Sequence, residues 1–415
     1  ERINAALNHK TPDKLPVDFG ATPTSGIHVS VVYKLRQNFG LDKPGTPVKV
    51  IEPYQMLGEV ADDLKEAIGV DVTGISSPGT FFGYKKEDWK LWKLWDGTPV
   101  LVPGKFNTTI NDDGSIYQYA EGDKNYPPCA VMPSKGYFFD SIPRQKSFKE
   151  EELNPLDNTE EFKPLSQEDL EYIKAETDDK YSNTNYAIIG NVAPSSFGDI
   201  ALVPGPMLKD PKGIRDVTEW YISTLTRKSY IKKVFEIQCE VAIESYKNIY
   251  KQVGEKFSAV FVSGTDFGTQ DRIFNSVDNY RQLFKPFHLK VNTWIHENTG
   301  WKTFIHTCGA IKELLPELIE SGFDIVNPVQ ISAAGMDPAT LKKEFGKYLT
   351  FWGGGVDTQK TLATGSVAEV KEQVKRIIEI FNNEGGFVFN TVHNIQANVP
   401  IENILAMIEV INKYR

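Results

Sequence analysis

His306 and Cys308 are the residues of this chain whose types and spacing most directly suggest chemistry. They lie two residues apart at the end of an apolar run, Phe304-Ile-His-Thr-Cys-Gly-Ala310. Residues two apart in a β-strand point to the same face, so the imidazole and the thiol could bind one metal ion. Zinc accepts this mixture of nitrogen and sulfur, and a catalytic zinc needs three protein ligands and an open position. The pair alone also fits a hydrogen-bonded histidine beside a small buried thiol, so the interpretation depends on the rest of the chain.

Segments with the character of β-strands alternate with helical segments along most of the chain. The strands are expected near residues 15, 72, 187, 260, 304, 325, 350 and 388. The clearest helical patterns cover Ile3 to Leu7, Ile51 to Ile68, and residues 278–298, 311–321, 338–345, 367–382 and 401–413. This alternation predicts an α/β fold of the (β/α)8 TIM-barrel type. An open doubly wound sheet has the same strand count, but no Gly-x-Gly-x-x-Gly turn follows the first strand.

The residues between the second and third expected strands have a different composition. From Trp89 to Phe139, aromatic residues are interspersed with turn sequences, which indicates short strands. Residues 150–179 are acidic and predict a helical segment at the surface. We therefore expect the barrel to start in residues 1–83, a β-rich insertion after the second strand at 84–182, and the rest of the barrel in 183–415. The aromatic residues either pack within the insertion or form a lid over an apolar substrate.

His393 becomes informative once a barrel is expected, because it follows the eighth strand. Residues that follow the strands of a TIM barrel converge at one mouth, where the chemistry takes place. His393 can then lie across that mouth from the fifth strand. The predicted metal ligands are His306, Cys308 and His393, with a fourth position left for substrate or water. Asp266, after the fourth strand, is expected to accept a hydrogen bond from a ligating histidine, to bind the metal, or to cap a helix.

Other polar residues near the expected mouth are candidates for catalysis or substrate binding. Asp266 and Asp357 are the predicted catalytic carboxylates, although Asp357 also fits a turn after Gly353-Gly-Gly355. The predicted substrate-binding residues are Gln270, Asn327, Asn191 and His28, the last of which follows the first strand and can reach the rim.

The composition argues against several classes of protein. The chain has 415 residues, a net charge of -9 and no cluster of Lys and Arg, so a nucleic-acid groove is not expected. Its three cysteines are far apart, which argues against a disulfide framework and for a reducing, cytoplasmic location. No apolar run approaches the roughly 18 residues needed to span a bilayer, so no membrane contact is expected.

Several short motifs follow one another in a characteristic order. They are Arg2-Ile3 to Leu7, Pro12-Asp13, Pro16-Val17, Gly69-Val-Asp71, Thr265-Asp-Phe-Gly-Thr-Gln270, His306-Thr-Cys-Gly309, Gly322-Phe-Asp324, Gly353-Gly-Gly-Val-Asp357 and Pro400-Ile-Glu-Asn403. In this order they resemble the uroporphyrinogen decarboxylase superfamily, and within it the zinc-dependent methyltransferases that work with corrinoid proteins. The resemblance covers nearly the whole chain outside about residues 84–182. The decarboxylases carry an arginine-rich segment after the first strand, whereas this chain reads Ala21-Thr-Pro-Thr-Ser-Gly-Ile-His28. The resemblance therefore implies a methyltransferase rather than a porphyrinogen decarboxylase.

The methyltransferase branch has His-x-Cys after strand five and a Cys after strand eight. This chain matches the pair at His306 and Cys308 but has His393 at the third position. Two imidazoles and one thiolate would leave a zinc ion with about one positive charge, which makes it a stronger Lewis acid toward a substrate oxygen. The resemblance then implies transfer of a methyl group between a small, methoxylated substrate and a corrinoid protein, as in O-demethylation. Its cofactors would be Zn²⁺ and a methylcobalamin-type corrinoid carried by the partner. Thiol methylation, as in coenzyme M methyltransferases, is the nearest alternative.

Two functions of other classes remain open from the sequence. A cofactor-free decarboxylase of a small acid would be active without metal and would require Asp266 or Asp357. A non-catalytic barrel acting as a binding module would hold no metal, and the insertion would fill its mouth. The expected partners are a corrinoid protein and a small methyl donor or acceptor, and a homodimer is compatible with the sequence.

Overall fold

The protein combines fifteen β-strands with thirteen α-helices, and the computed structural model describes residues 1–415. The strands are β1 (Val48–Glu52), β2 (Leu57–Gly58), β3 (Val72–Ser76), β4 (Lys90–Lys93), β5 (Pro99–Val102), β6 (Thr108–Ile110), β7 (Ile116–Gln118), β8 (Ala130–Met132), β9 (Asp140–Ser141), β10 (Ala187–Asn191), β11 (Ala259–Ser263), β12 (Lys302–His306), β13 (Ile325–Asn327), β14 (Thr350–Trp352) and β15 (Phe387–Val388). The helices are α1 (Arg2–Leu7), α2 (Val29–Asn38), α3 (Asp62–Ile68), α4 (Gln167–Asn183), α5 (Val217–Thr226), α6 (Lys228–Val253), α7 (Val277–Leu283), α8 (Lys285–Asn298), α9 (Leu315–Glu320), α10 (Pro338–Phe345), α11 (Thr361–Thr364), α12 (Val367–Phe381) and α13 (Ile401–Asn412).

Seven parallel strands form the central sheet, in the order β15-β14-β13-β12-β11-β10-β3. The segment around Val17 lies between the two edge strands. The backbone N–H of Asp18 donates to Phe389 O at 2.9 Å on one side, and the N–H of Asp71 donates to Val17 O at 2.9 Å on the other. These contacts bring the edges of the curled sheet together, as a TIM-like barrel requires. The predicted α/β fold and seven of the eight expected strand positions are confirmed. Near residue 15 the structure has no strand, only an isolated bridge between Val17 and Phe389.

The strands of the central sheet consist mostly of residues that are buried on both faces. All five residues of β11, Ala-Val-Phe-Val-Ser, are buried, which is the pattern of a parallel strand covered by helices. Helix α12 shows how such a helix is specified. Ser366 caps its first turn in a capping box with Glu369, and Val370, Val374 and Ile378 place an apolar stripe against the sheet.

The chain between β3 and β10 is rich in short strands, as its turn sequences predicted. Strands β6, β7, β8 and β9 form an antiparallel sheet, and β4 and β5 join β1 and β2 in a second sheet. Strand β1 pairs in parallel with β5, with Val48 opposite Val100. Residues that precede β3 therefore share a sheet with residues of the expected insertion. The division at 84–182 into barrel and insertion stays a prediction.

The predicted helix from Ile51 to Ile68 is wrong over its first half. Residues 48–52 and 57–58 are strands, and only α3 is helical. Met56 adopts a left-handed φ of 55°, which ends the helical spacing there. The apolar residues before α3 are buried by pairing with a strand some fifty residues later, which local periodicity does not reveal.

No helix of the protein combines the length and the apolar character that crossing a bilayer demands.

Candidate metal centre

The side chains of His306, Cys308 and His393 meet at the mouth of the curled sheet. His306 is the last residue of β12, Cys308 follows it by two, and His393 lies in the loop after β15. One potential ligand atom from each residue lies within 4.8 Å of the others. Cys308 Sγ is 3.4 Å from His306 Nε2, and the centroids of the two imidazole rings are 5.3 Å apart. This cluster can hold a metal ion.

The donor atoms of the cluster suit zinc in both type and spacing. Tetrahedral zinc binds nitrogen at about 2.0 Å and sulfur at about 2.3 Å, which places two such ligands roughly 3.5 Å apart. The Sγ to Nε2 distance of 3.4 Å agrees with that value. Three protein ligands of this kind leave a position open, which is the arrangement of a catalytic zinc site.

Burial sets the protonation of the three residues. It lowers the pKa of His306 to about 4 and, together with the neighbouring His306 imidazole, lowers the pKa of His393 to about 4. Both rings are therefore neutral near pH 7, the form that binds metals. Burial, followed by the nearby Asp266 carboxylate, raises the pKa of the Cys308 thiol. A cation bound by the thiolate offsets that cost, because a metal ion stabilises the deprotonated sulfur.

Asn327 fixes the orientation of the His306 ring. His306 Nδ1 lies 2.6 Å from Asn327 Oδ1, and the amide nitrogen of Asn327 donates to Trp352 O at 2.7 Å. This second bond defines which end of the amide faces the ring, so Nδ1 carries the proton and Nε2 is free to bind a metal. Asn327 was predicted to bind substrate, but it is completely buried and the structure places it behind the histidine.

Asp266 lies beside the cluster. Its Oδ1 accepts a hydrogen bond from the backbone N–H of Cys308 at 2.7 Å and is 3.8 Å from His306 Nε2. Burial raises the pKa of this carboxyl group. Asp266 thus accepts its hydrogen bond from the backbone of Cys308, whereas the ring proton of His306 goes to Asn327. A role of Asp266 as a metal ligand stays a prediction. A carboxylate there would also balance positive charge on a bound ion.

The cluster opens into a cavity of about 980 Å³. Barrel residues form its floor, including Asn191, which was predicted to bind substrate. Residues of the strand-rich region, such as Phe138, form a wall. Tyr54 and Phe81 also face the cavity, with ring centroids 4.5 Å apart. The cavity can thus enclose a small, partly apolar molecule beside the metal ligands.

Residues 212–414, which include all three predicted ligands, match the sequence profile of the family described as uroporphyrinogen decarboxylase (URO-D). Over these residues, just under half of its length, the chain belongs to the uroporphyrinogen decarboxylase superfamily. The resemblance read from the short motifs is thereby confirmed. No curated protein sequence matches this superfamily member.

The fold of the present protein is similar to a solved structure of a methyltransferase from Methanosarcina mazei, with a TM-score of 0.54. The match covers 100% of the present chain and 98% of the methyltransferase chain. The two sequences are 17% identical, so the similarity concerns the fold.

Gln270 and Asp357, two of the predicted site residues, lie away from the cavity. Gln270 donates from Nε2 to Ser332 O at 2.7 Å and accepts from Gln330 at 3.0 Å, so it braces neighbouring loops. Asp357 accepts from the backbone N–H of Gln359 at 2.9 Å and terminates a turn. The structure brings neither residue to the metal cluster. Gln270 bonds to the loop after β13, and Asp357 bonds within its own turn.

His28, another predicted substrate-binding residue, is also held within the protein. It caps α2 by accepting from the N–H of Ser30, and its Nε2 lies 2.9 Å from Tyr137 O. Burial lowers the pKa of this imidazole to about 4. Its contacts fix the strand-rich region to the start of α2 and leave no ring nitrogen for a substrate.

Asp199 is a cavity residue that the sequence reading missed. It lies in the loop after β10 and lines the cavity together with Asp266. Burial, and then the charge of Asp266, raises the pKa of Asp199 to about 7, while a hydrogen bond from the N–H of Ala201 opposes the shift. The available signal was its position after a barrel strand, the same rule that selected Asp266.

Proposed function

We propose that this protein is a zinc-dependent methyltransferase that moves a methyl group between a small methoxylated molecule and a corrinoid carried by a partner protein. The cluster of His306, Cys308 and His393, two of which line a cavity of about 980 Å³, is the observation that carries the proposal. The similarity in fold to the methyltransferase from Methanosarcina mazei supports the same class of reaction.

The three ligands determine the chemistry that the metal supplies. Zinc held by two neutral imidazoles and one thiolate would act as a Lewis acid toward the ether oxygen and stabilise the alkoxide or phenoxide that leaves when cobalt(I) takes the methyl group. Asn327 presents His306 Nε2 to the metal, and Asp266 holds the backbone of Cys308. The replacement of a second thiolate by His393 favours an oxygen substrate over thiol methylation.

Asp199 is the proton donor in this proposal. Its side chain faces the same cavity as His306 and His393, so a substrate bound at the metal cluster lies within the space that Asp199 lines. A neutral carboxyl group there can give its proton to the departing oxygen, which leaves as an alcohol or phenol, and then take a new proton from solvent. The raised pKa of about 7 keeps much of Asp199 protonated near neutral pH.

Metal analysis combined with a methyl-transfer assay tests the proposal. We expect purified protein to bind about one zinc ion per chain and to methylate free cob(I)alamin from a methoxylated aromatic compound, followed by the change in corrinoid absorbance. Cys308→Ala and His393→Ala should abolish both zinc binding and transfer. Cys239→Ala, which alters a buried thiol in α6, should retain both.

Two results would contradict the proposal. One is a protein that binds no zinc under conditions in which it is folded. The other is methyl transfer that survives complete removal of the metal. Decarboxylation of a small acid by the metal-free protein would favour the cofactor-free decarboxylase instead.

A further inference from the structure

Lys86 places a cationic group in the cavity. It lines the same space as the metal cluster, and its Nζ donates to Ser76 Oγ at 2.9 Å, at the end of β3. The preceding loop is tightly folded, because both the N–H and the hydroxyl of Thr80 donate to Tyr84 O at 2.8 Å. The ammonium group is therefore held in one position at the cavity wall.

The ammonium of Lys86 forms no ion pair within the chain, in contrast to the adjacent Lys85, whose Nζ lies 2.5 Å from Glu168. Glu52 also lines the cavity, but its two oxygens accept hydrogen bonds from the backbone N–H groups of Tyr54 and Gln55 at 3.0 and 2.7 Å. Burial lowers the pKa of Lys86, while Glu176 and Glu52 act in the opposite direction at longer range. Lys86 is partly buried. A cation partly removed from water without a direct counter-ion is unfavourable, and an anionic ligand would relieve that cost.

The metal cluster and Lys86 lie on different sides of the mouth. Ser76 ends β3, whereas His306 ends β12, and β10 and β11 separate these two strands in the sheet. The cavity is continuous between them. The rings of Tyr54 and Phe81 supply an apolar surface in the same space, which suits a flat ring held between two polar ends.

We infer that the substrate is an aromatic acid, whose carboxylate binds Lys86 while its methoxy group reaches the His-Cys-His cluster. This inference rests on the proposed function for the methoxy end. The carboxylate end depends only on Lys86, Ser76 and the cavity. A carboxylate can accept from the lysine ammonium and the serine hydroxyl together.

Binding measured by titration calorimetry tests the inference separately from catalysis. The ligands are 4-methoxybenzoate and the uncharged 4-methoxybenzamide, which has nearly the same shape. We expect the acid to bind the folded, zinc-loaded protein more tightly than the amide. Lys86→Gln should weaken binding of the acid by about 10- to 100-fold, the range for a charge-assisted hydrogen bond, and leave the amide unaffected. Lys85→Gln removes the same charge from the neighbouring residue and should leave both affinities unchanged.

The outcomes separate this inference from the proposed function. Equal affinities for acid and amide, or equal losses in the Lys86 and Lys85 variants, would overturn the carboxylate site. Tighter binding of 4-methoxybenzenesulfonate than of the benzoate would show that the site prefers a sulfonate to a carboxylate, which would also overturn the inference. Selective binding of the acid through Lys86, without any methyl transfer, would support the anion site and overturn the proposed reaction.

Discussion

Asn327 Oδ1 lies 2.6 Å from His306 Nδ1, and this contact decides which nitrogen of the imidazole faces Cys308. The two residues are paired in register on neighbouring strands, His306 at the end of β12 and Asn327 at the end of β13. Because the strands are parallel, both side chains come to the same end of the sheet. The hydrogen bond from Asn327 Nδ2 to Trp352 O prevents the amide from reversing. One buried amide thus prepares the imidazole for metal binding before any ion arrives.

Replacing Asn327 tests this relationship. Asn327→Ala should weaken zinc binding by roughly 10- to 100-fold, the usual cost of losing a partner that orients a metal ligand, measured by competition with a chelator. The matched control is Asn403→Ala, which removes another buried amide that bonds only to Leu362 O and Gly365 O. Equal zinc affinity in the two variants would show that Asn327 does not orient the ligand.

Asp199→Asn should reduce the rate of methyl transfer by about 10²- to 10⁴-fold, the usual contribution of a general acid. The rate of the unmodified protein should fall as the pH rises through about 7, because deprotonation removes the proton that the leaving group needs. The variant should show a low rate without this fall. Asp216→Asn makes the same charge change at the N-cap of α5, where asparagine is equally suitable, and should keep the original pH profile. An unchanged profile in Asp199→Asn would exclude its role as the acid.

Asp18 should make stability depend on pH. It is completely buried, and burial raises its pKa to about 6, although hydrogen bonds from Trp352 and Ala21 oppose the shift. The pKa in the unfolded chain is about 3.9, so the contribution of Asp18 to stability is present below that pH and is lost as pH rises through about 6. A shift of about 2 units corresponds to a loss of roughly 3 kcal/mol.

Urea denaturation between pH 4 and pH 7.5 measures this effect. In Asp18→Asn the free energy of unfolding should lose that part of its pH dependence. Asp13→Asn is the contrasting control, because Arg2 lowers the pKa of this exposed carboxylate to about 2. Any change in the free energy of unfolding that this substitution causes should have the opposite dependence on pH and lie at lower pH. Parallel pH curves for the unmodified protein and Asp18→Asn would contradict the assignment.

Gly74→Ala should destabilise the barrel. A Cβ at this position in β3 would lie 1.9 Å from Ala21 O, a backbone atom that cannot move aside alone. We expect the free energy of unfolding to fall by about 3 kcal/mol, at the upper end of the usual cost of overpacking. At Gly79 the nearest atom to an added Cβ is 3.9 Å away, so Gly79→Ala should change stability by less than about 1 kcal/mol. Similar denaturation midpoints for the two variants would contradict this packing argument.

The barrel could be predicted because its signals are local. The continuous apolar run of residues 259–263 predicts a strand that is buried on both faces. The apolar stripe of residues 367–381 predicts a helix that is buried on one face. Strand β1 could not be predicted in the same way. Its partner β5 lies about fifty residues further along. The helical spacing that predicted a helix instead came from Met56 and Val60, which precede α3 and continue its apolar stripe.

The cluster of His306, Cys308 and His393 was predictable for a different reason. His306 and Cys308 share one face of a strand end, and closure of the barrel brings His393 toward them. Asp199 and Lys86 were missed because they lie eight and ten residues beyond the ends of β10 and β3, whereas Asp266 and His393 lie closer to the ends of their strands. Asn327 was expected at the mouth, but its contact with His306 depends on the register of two strands, which the sequence does not specify.

The wall of the cavity that contains Phe138 and Asp140 comes from a different part of the chain than the floor that contains His306 and His393. The part of the cavity beside the His-Cys-His cluster and the part lined by the strand-rich region therefore come from separate segments of the chain. If the protein has the function proposed above, changes at residues 138–143 would alter the choice of methyl donor and leave the His-Cys-His cluster unchanged, so these residues are the natural place to diversify in a library.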